Sequence, residues 1–550
     1  TFRGMRIVKS KIKEYITRNR YETLNREELT RFFKPSDFKI FEDSAVVNQQ
    51  EQKRRTQIIF KTLKFIFEHV YIPILTSFFY ITEGYSNYKI FYYPLKTWTY
   101  FTNKHFEKFL ENFSETSVPQ NHMIKPRCIP KENGFRVVVN KSKKDENGKS
   151  ENLKLSNHHL IISEERKRNY GNSLLDYNEI FSKFLKYDFR NCYMIKFDIK
   201  GCFDNIPHAI FEEELKKFFR QEKYHVKKYS SITMKSGRIV TKKHITSLDG
   251  SKDSKNFPFG ENHCKNEILF DHAFIDIKKK ENLIKEIMDF ITQNTLIIGK
   301  KKFIQMKGLP QGSILSPILC SIFFQYLDKN FFDKYIKKGR LFRYVDDFLI
   351  ATPDISEIIA IFDNFAQVEQ EGISLNFDKT EANFNFQYIS SSKMKTDQPV
   401  NLDKKQDLTF CGIRISCEGA KLGCDYKRIN FMGAFSSDKP GQAMRIKLIR
   451  FACKFFKTLY FHLQNIHRYQ NIYIFWIQIS RRMMSFLRKM PFINKKFVYS
   501  VLEMLDTSLM AFFIREHLIF DRNKIKAIKE SAFADSGLTF FIEIKSDNKI

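Results

Sequence analysis

The stretch FRYVDDFLIATPD, residues 342–354, decides the fold, because two adjacent carboxylates interrupt an otherwise apolar, β-prone run. The pattern predicts an antiparallel hairpin, with one strand over 341–345, a tight turn at Asp346 and Asp347, and a return strand over 348–352. A single Asp at a turn is ordinary, since its side chain can bond its own backbone. Two adjacent carboxylates repel each other unless a positive group lies nearby. The sequence therefore predicts a site for a cation at this turn.

A third carboxylate lies upstream in MIKFDIKGCFDNIP, residues 194–207. Asp198 falls inside an apolar strand pattern, where a lone carboxylate is costly unless it is paired or liganded. A turn at Gly201 and a helix opened by Pro207 follow, and Asp204 between them is interpreted as a turn or cap residue. A strand aspartate beside an aspartate pair is a donor set for two Mg²⁺ ions about 3.5–4 Å apart. Such ions activate an attacking 3′-hydroxyl and stabilise a leaving pyrophosphate.

Between these carboxylates lies KGLPQGSILSPILCSIFFQYLDKNFF, residues 307–332. Gly308 and Gly312 bracket a turn whose backbone can approach a ligand closely. Ser316 is predicted as a helix N-cap and Pro317 as the first helical residue, before an apolar stripe. Alone, this segment predicts only a junction between a loop and a helix.

Composition narrows the class of partner. Of the 550 residues, 93 are Lys or Arg and 62 are Asp or Glu, which gives a net charge of +31. This excess favours a polyanion, either nucleic acid or an anionic membrane surface. The most apolar stretch, residues 65–81, contains Glu68, His69 and Pro73, which indicates a buried helix and a turn instead of a membrane span. The nine cysteines show no framework spacing, as expected of an intracellular protein.

The two flanks differ from the middle of the chain. Residues 1 to about 115 predict mainly helices rich in aromatic residues and in Lys and Arg, with a strand-like region over 78–98. Interleaved aromatics and lysines suit stacking on unpaired bases. An aromatic core strand with a solvated edge explains the same pattern, and the two interpretations stay open. From about residue 426 onward, amphipathic helical periodicity takes over.

Taken in order, these segments resemble the palm of reverse transcriptases, and more closely that of the telomerase catalytic subunit. VDDFLIATP, GLPQGSILSPILC and FDIKGCFDNIP are similar to its Asp-pair, PQG and first carboxylate motifs. PRCIPKENGFRVVVN (126–140) is similar to its two fingers motifs, FFYITE with FYYPLKTW to its T motif, and FCGIRI (410–415) to its primer grip. Val345 stands where many retroelement enzymes carry Ala, and Phe203 where the family usually has Tyr.

The resemblance implies a role for each matching position. The metal-binding catalytic residues would be Asp198, Asp346 and Asp347. Lys379 would be a general acid for the pyrophosphate, with a solvated turn lysine as the alternative. Phe203 would act as the sugar gate, and Cys411 and Gly412 would hold the primer end. The other nucleotide-binding residues would be Lys131, Arg136, Gln311, Gly312 and Val345, and the RNA-binding residues Phe79, Tyr80, Lys96 and Trp98.

The resemblance also implies an α+β right-hand polymerase. Residues 1–115 would be the C-terminal part of the RNA-binding domain, 116–425 the fingers and palm with an insertion at about 210–300, and 426–550 a helical, thumb-like extension. The implied cofactors are two Mg²⁺ ions and telomerase RNA as template. The implied partners are a single-stranded telomeric DNA primer, dNTPs and accessory proteins, with no membrane, in the nucleus at telomeres. The chain begins TFRGMRIV without an initiator Met, so we expect a fragment or a compact lineage.

Two rival functions remain. A retroelement or intron-encoded reverse transcriptase would share the carboxylates, and an appended endonuclease or maturase domain would support it. A non-catalytic RNA-binding scaffold with a decayed palm is the other rival. Retaining clustered carboxylates without a metal is energetically unfavourable, which argues against decay.

Overall fold

The structure of the protein is a computed structural model, and two compact units divide its chain. One unit, called unit 1, combines Thr1–Glu107, Cys128–Val137 and Lys421–Ile550, and the other, unit 2, combines Lys108–Arg127 and Val138–Ala420. The residues that the structure describes are 9, 12–13, 15–16, 48–84, 90–117, 123–131, 134–139, 155–168, 173–174, 177–235, 238–249, 268–369, 373–376, 379–388, 400–402, 404–416, 421–425, 440–456, 458–461, 468–487 and 494–536.

Helices occur throughout the described chain. They are α1 (Gln49–Phe65), α2 (Ile72–Phe78), α3 (Leu95–Phe109), α4 (Ser156–Arg168), α5 (Tyr177–Leu185), α6 (His208–Phe218), α7 (Lys280–Thr292), α8 (Ser316–Leu327), α9 (Asp333–Tyr335), α10 (Ile355–Asp363), α11 (Ala366–Glu369), α12 (Pro440–Phe455), α13 (Thr458–Phe461), α14 (Arg468–Leu487), α15 (Lys495–Arg515) and α16 (Arg522–Asp535). A π-helical turn, Ile66–Tyr71, joins α1 to α2, and another, Asp328–Phe332, joins α8 to α9.

Strands are concentrated between the two helical flanks. They are β1 (Phe79–Glu83), β2 (Ile90–Pro94), β3 (Phe113–Glu115), β4 (Met123–Ile124), β5 (Arg127–Lys131), β6 (Gly134–Val138), β7 (Ser173–Leu174), β8 (Tyr193–Lys200), β9 (Lys223–Lys235), β10 (Arg238–Asp249), β11 (Ile268–Lys279), β12 (Thr295–Ile298), β13 (Lys301–Gln305), β14 (Arg340–Tyr344), β15 (Asp347–Thr352), β16 (Ser374–Leu375), β17 (Glu381–Ala382), β18 (Phe386–Tyr388), β19 (Val400–Leu402), β20 (Asp407–Phe410), β21 (Ile413–Ser416) and β22 (Lys421–Cys424).

The central sheet of unit 2 runs in the order β16-β8-β15-β14-β7, with β17 also paired to β8. Strand β15 is antiparallel to both of its neighbours, β8 and β14. Its residues from Phe348 to Thr352 are all buried, so this strand lies at the centre of the core and is covered on both faces. Phe197 of β8 faces Phe348 across the ladder, and their rings stack 5.0 Å apart. The buried pair fixes the register of the two strands by excluding a shift to the other face.

Helix α8 packs under this sheet and is buried along almost its whole length. Its Phe324 ring meets the Phe348 ring edge-on at 5.5 Å. Arg343 of β14 is fully buried beneath them and donates to both carboxylate oxygens of buried Asp328. Burial raises the pKa of Asp328, and the neighbouring Arg343 guanidinium opposes that rise. Burying these two charges costs desolvation free energy. Removing one partner would cost more, because the other charge would stay buried without its partner.

A long three-stranded antiparallel sheet occupies the segment predicted as an insertion at about 210–300. Its order is β10-β9-β11, and helices α4 and α7 pack beside its strands. Strand β11 carries a bulge between Asp271 and Phe274. A separate sheet of unit 2 runs β3-β13-β12-β4. The predicted three-way division at residues 115 and 425 stays a prediction, since unit 1 draws on both flanks of the chain.

Unit 1 contains an aromatic cluster and a C-terminal helical bundle. In the bundle, α14 packs on α12, α13 and α16, and its Trp476 is fully buried. Helix α15 is long and apolar enough to cross a membrane by length and composition alone, and it packs on α12 through a partly buried face. The region 65–81 was predicted as a buried helix and a turn, and it instead forms the π-helical turn, α2, which has no buried residue, and the start of β1.

Candidate active site

The register of two central strands brings the predicted carboxylates together. Asp347, the first residue of β15, lies directly opposite Asp198 of β8. Asp198 is 5% exposed, while Asp347 at the strand end is partly buried. Directly opposed residues of an antiparallel pair have Cβ atoms about 4.5–5.5 Å apart, and like charges there repel. The pair therefore concentrates negative charge at one end of the sheet.

The turn that carries Asp346 differs from the predicted one by a single residue. The two turn residues are Val345 and Asp346, and Asp347 already belongs to β15. Val345 has a positive φ of 56°, which is rare for a β-branched residue. Such strain costs about 1–3 kcal/mol and persists where the surroundings impose it. Here it lets the strand begin at Asp347, so that this carboxylate faces Asp198.

Asp346 shows the electrostatic effect of this grouping. Burial raises the pKa of Asp346 to about 6, and the charges of Asp198 and Asp347 contribute to the rise. Three carboxylates that oppose one another's ionisation in this way form a donor set suited to a hard divalent cation. Within the described part of the chain, however, no three His, Cys, Asp or Glu side chains are grouped so that they could hold a metal ion as they stand. Asp198 is instead turned toward other partners.

Those partners of Asp198 are Lys379 and Asn376. The Lys379 ammonium donates to Asp198 Oδ2 at 2.6 Å, and the Asn376 amide donates to the same oxygen at 3.1 Å. Burial lowers the pKa of Lys379, but its hydrogen bond to Asp198 and the three nearby carboxylates outweigh burial and raise the pKa overall. Lys379 is 64% exposed, whereas Asp198 is almost covered. A charged lysine at this position is thus available to solvent and to a ligand on the open side of the carboxylates.

The loop before α8 approaches the site closely. Gly308 and Gly312 both have positive φ, 85° and 83°. A Cβ atom at Gly308 would lie 2.5 Å from the carbonyl oxygen of Phe203, and one at Gly312 would overlap the carbonyl of Val139. Glycine is required at both positions by backbone conformation and by space. Helix α8 begins at Ser316, one residue earlier than predicted, with Leu315 as its N-cap.

The sugar-gate and PQG positions are adjacent in this frame. Leu309 N donates to the carbonyl oxygen of Phe203 at 2.6 Å, and the partly buried Phe203 ring packs against the core. Gln311 is partly buried and its amide nitrogen donates to Asp204 Oδ1 at 2.9 Å. The predicted nucleotide-binding positions Phe203, Gln311 and Gly312 therefore share one loop junction beside the strand that carries Asp198.

The predicted primer-grip residues also lie in unit 2. Cys411 and Gly412 form the two-residue turn between β20 and β21, with φ of 49° and 79°. A turn with two positive φ values matches the twist of a hairpin. Cys411 is 6% exposed, so this turn offers mainly its backbone to a ligand.

The predicted triphosphate-binding residues lie in unit 1. Lys131 ends β5 and Arg136 lies within β6, the partner strand of the same two-stranded sheet, and both are exposed. Two exposed cations on one hairpin suit a phosphate ligand. Their role stays a prediction.

The predicted RNA-binding aromatics form a packed cluster in unit 1. Tyr80 of β1 stacks on Trp98 of α3 with ring centroids 4.2 Å apart and planes at 10°. Trp98 also contacts Tyr93 and meets Phe135 edge-on at 5.5 Å, and it is 7% exposed. One face of Trp98 is therefore already covered by a protein ring. Phe79 is partly buried and Lys96 is exposed, so an RNA ligand can reach Lys96 without disturbing the cluster.

Sequence reasoning missed two polar residues that shape the site. Asn376 was not singled out, although it lies three residues before Lys379 and bonds the same carboxylate. Asn112 was also missed, and its amide donates to the Asp204 carbonyl at 2.9 Å. Neither residue sits in a motif with distinctive spacing, so the sequence carries no signal for them beyond an amide near a motif.

Comparison with known proteins agrees with this geometry. Residues 267–415 match the family model for reverse transcriptase (RNA-dependent DNA polymerase), and residues 3–109 match the RNA binding domain of the telomerase ribonucleoprotein complex. The chain is 24% identical to the telomerase reverse transcriptase of Canis lupus familiaris over 88% of its own length and 48% of that protein. It is 24% identical to the Mus musculus protein, over 80% and 44% of the two chains. The chain thus spans about half the length of these curated relatives.

A solved structure shows the same fold. The telomerase of Candida albicans, in complex with a TWJ fragment of telomeric RNA, superposes with a TM-score of 0.69 at 18% identity, over 98% of this chain and 84% of that one. The telomerase of Candida tropicalis gives a TM-score of 0.59 at 19% identity, over 97% and 80%. These matches confirm the predicted right-hand polymerase fold.

Fold and motif order together are those of a reverse transcriptase domain preceded by an RNA-binding domain of the telomerase type. The two family models in this order, with curated relatives that share one description, point to a narrower group. The chain resembles the telomerase reverse transcriptases.

Proposed function

We propose that the chain is an RNA-templated DNA polymerase that extends chromosome 3′ ends by copying telomeric repeats from a bound telomerase RNA. The observation that carries this proposal is the opposition of Asp198 and Asp347 across β8 and β15, with Asp346 at the adjoining turn. Three carboxylates at one end of a buried sheet repel one another, and the Lys379 ammonium on Asp198 offsets that repulsion only in part, which suits the binding of a divalent cation.

Asp198, Asp346 and Asp347 would hold two Mg²⁺ ions. When bound, these ions supply activation of the primer 3′-hydroxyl and neutralisation of charge at the leaving pyrophosphate. Asp198 would hold the metal with the same carboxylate that accepts a hydrogen bond from Lys379 in this structure. Lys379 would be the protonated donor toward the pyrophosphate, because its hydrogen bond to Asp198 and the nearby carboxylates raise its pKa against the effect of burial and keep it charged.

Other residues of the chain would bind and orient the substrates. The ring of Phe203 would lie under the nucleotide sugar, where a 2′-hydroxyl would clash with it. The backbone of Cys411 and Gly412 would hold the primer end, and Lys131 and Arg136 would pair with the triphosphate. The phenol of a tyrosine is missing at Phe203, so this gate acts through bulk alone.

The partners proposed are telomerase RNA, a single-stranded telomeric DNA primer, dNTPs and accessory proteins, with action in the nucleus at telomeres. Support for the RNA comes from the RNA-binding family model over residues 3–109 and from the net charge of +31. Further support comes from the Candida albicans relative, which was solved with a fragment of telomeric RNA.

The test is primer extension with Mg²⁺ and dNTPs in the presence of RNA co-purified from the source cells. A ladder of a short repeated DNA sequence that disappears after RNase treatment is the expected result. Extension of any annealed RNA–DNA hybrid, with no preferred RNA and no repeat, would contradict telomere synthesis and favour a retroelement-type reverse transcriptase. An Asp346→Ala chain serves as the inactive control.

A further inference from the structure

We propose that Asp204 is a positioning residue that sets the orientation of the Gln311 side-chain amide toward the incoming nucleotide and template. This inference rests on the proposed polymerase function and adds a residue to it. An ionised aspartate only accepts hydrogen bonds, so it must take the nitrogen end of the amide. The oxygen end of Gln311 is then the one offered to the ligand, and the site selects a hydrogen-bond donor there.

The direct contact is short and partly shielded. Gln311 Nε2 donates to Asp204 Oδ1 at 2.9 Å, and both side chains are half-buried. A hydrogen bond to a charged acceptor is stronger than one between neutral groups. Held in this way, Gln311 loses the freedom to rotate its amide before a ligand arrives, which lowers the entropy that binding must remove.

Asp204 is itself fixed through its backbone at both ends. Its N–H donates to the carbonyl oxygen of Gly201 at 2.9 Å, which closes the turn after β8. Its carbonyl oxygen accepts from the Asn112 amide at 2.9 Å. The alternative of a helix cap does not hold, because α6 begins at His208 and its N-cap is Pro207. The Asp204 carboxylate therefore does not cap α6, and it is directed at Gln311.

The two loops that carry Asp204 and Gln311 are clamped together. Gly308 N donates to the Ile206 carbonyl at 2.8 Å, and a ring nitrogen of His208 lies 2.8 Å from the Gly308 carbonyl oxygen. A Cβ atom at Gly308 would lie 2.7 Å from Cα of Asp204. Backbone contacts therefore hold the turn after β8 against the PQG loop. The hydrogen bond between Asp204 and Gln311 joins the same two segments through their side chains, beside the predicted nucleotide site.

The experiment measures dNTP KM and kcat for primer extension, and dNTP Kd by displacement of a fluorescent nucleotide from the full chain bound to an RNA–DNA hybrid. Asp204→Ala is expected to raise KM and Kd about tenfold, with a smaller change in kcat. Asp204→Asn keeps an acceptor oxygen but is neutral and can also donate, so its KM and Kd are expected to lie between those of the wild type and of Asp204→Ala. Gln311→Ala removes the contact itself and should lose at least as much as Asp204→Ala, and the double variant should be no worse than Gln311→Ala alone.

Asn205→Ala is the matched control. It lies in the same turn and donates to the Lys200 carbonyl instead of contacting Gln311, so all three constants should stay unchanged. A lower reaction amplitude with unchanged KM and Kd in Asp204→Ala would mean a purely structural role and overturn the inference. Additive losses in the double variant would also overturn it. If the wild type binds dNTP but extends no primer, the polymerase proposal fails while the Kd comparison still decides the role of Asp204.

Discussion

Asp198 and Asp347 oppose each other directly across two buried antiparallel strands, and the stacked pair Phe197 and Phe348 adjoins them. Because side chains alternate along a strand, a slip of one strand by one residue would move its carboxylate to the face opposite that of the other carboxylate. The aromatic pair resists that slip, so core packing on one face fixes the chemistry on the other.

Replacing Asp346 by alanine should reduce primer extension by more than about a hundredfold, because loss of one carboxylate weakens metal binding worth several kcal/mol in the transition state. RNA affinity should stay unchanged, since unit 2 keeps its packing. Gel-based assays measure primer extension, and filter binding measures RNA affinity. Asp188→Ala is a control, because Asp188 is exposed in the same unit and pairs only with Arg190 among the contacts described. Joint loss of RNA binding and extension would show that Asp346 is structural.

Changing Lys379 to alanine should slow single-turnover nucleotide addition about 10²- to 10⁴-fold if the lysine is a general acid. Lys379→Arg keeps the charge near Asp198 but holds its proton far more tightly, so it should restore metal and nucleotide binding and little of the rate. Rapid-quench kinetics with saturating dNTP separates these effects. A rate in Lys379→Ala close to that of the wild type would show that Lys379 is a solvated turn lysine and not a general acid.

Gly308→Ala should destabilise the protein and abolish extension, because the new Cβ atom meets backbone that cannot move aside. Gly299→Ala isolates the conformational part of this cost. Gly299 also has a positive φ, 63°, but a Cβ atom added there would meet no other atom within 4 Å. Urea unfolding should show a loss of about 1 kcal/mol for Gly299→Ala and clearly more for Gly308→Ala. Equal losses in both variants would contradict the tight approach of Gly308 to Phe203.

Trp98→Ala should lower the free energy of unfolding by about 3–5 kcal/mol, since Trp98 is buried among other rings. The chain has two tryptophans, so a Trp476→Phe background makes Trp98 fluorescence a direct probe of its packing and of RNA addition. Lys96→Ala, two residues away and exposed, should leave stability within about 0.5 kcal/mol and reduce the salt dependence of RNA binding.

The opposite pattern would support base stacking. If Trp98→Ala leaves stability unchanged and weakens RNA binding by about 1–3 kcal/mol, a base must displace a protein ring from Trp98. A large fluorescence change on RNA addition would accompany that displacement.

Sequence reasoning located the strand of Asp198, the hairpin of Asp346 and Asp347, and the PQG loop because each breaks a local pattern. Local pattern did not place the hairpin turn correctly, since a β-branched residue in the left-handed region, Val345, is an improbable choice until the facing strand imposes it. Whether these residues bind metal, nucleotide and primer stays a prediction for the experiments above.

Sequence patterns did not predict contacts between segments that are far apart along the chain. No sequence pattern near Arg343 predicts its buried ion pair with Asp328, because hydrophobic periodicity carries no information about ion pairs. The cluster of Trp98 and Phe135 joins segments that no local signal links, and it bears on the open choice between base stacking and core packing. The aromatic residues whose sequence pattern suited base stacking and core packing equally well are packed against one another in this structure.

The discontinuity of unit 1 has a consequence for biosynthesis. Thr1–Glu107 belongs to the same compact unit as Lys421–Ile550, so its last partners are translated more than 300 residues later. At a rate of about 5–20 residues per second, the early segment waits roughly 15–60 s for them. Unit 2 can complete its core within that interval. Apolar side chains of the early segment such as Phe65 and Phe78, which stay exposed in the folded protein, are open to a chaperone or an RNA throughout that interval.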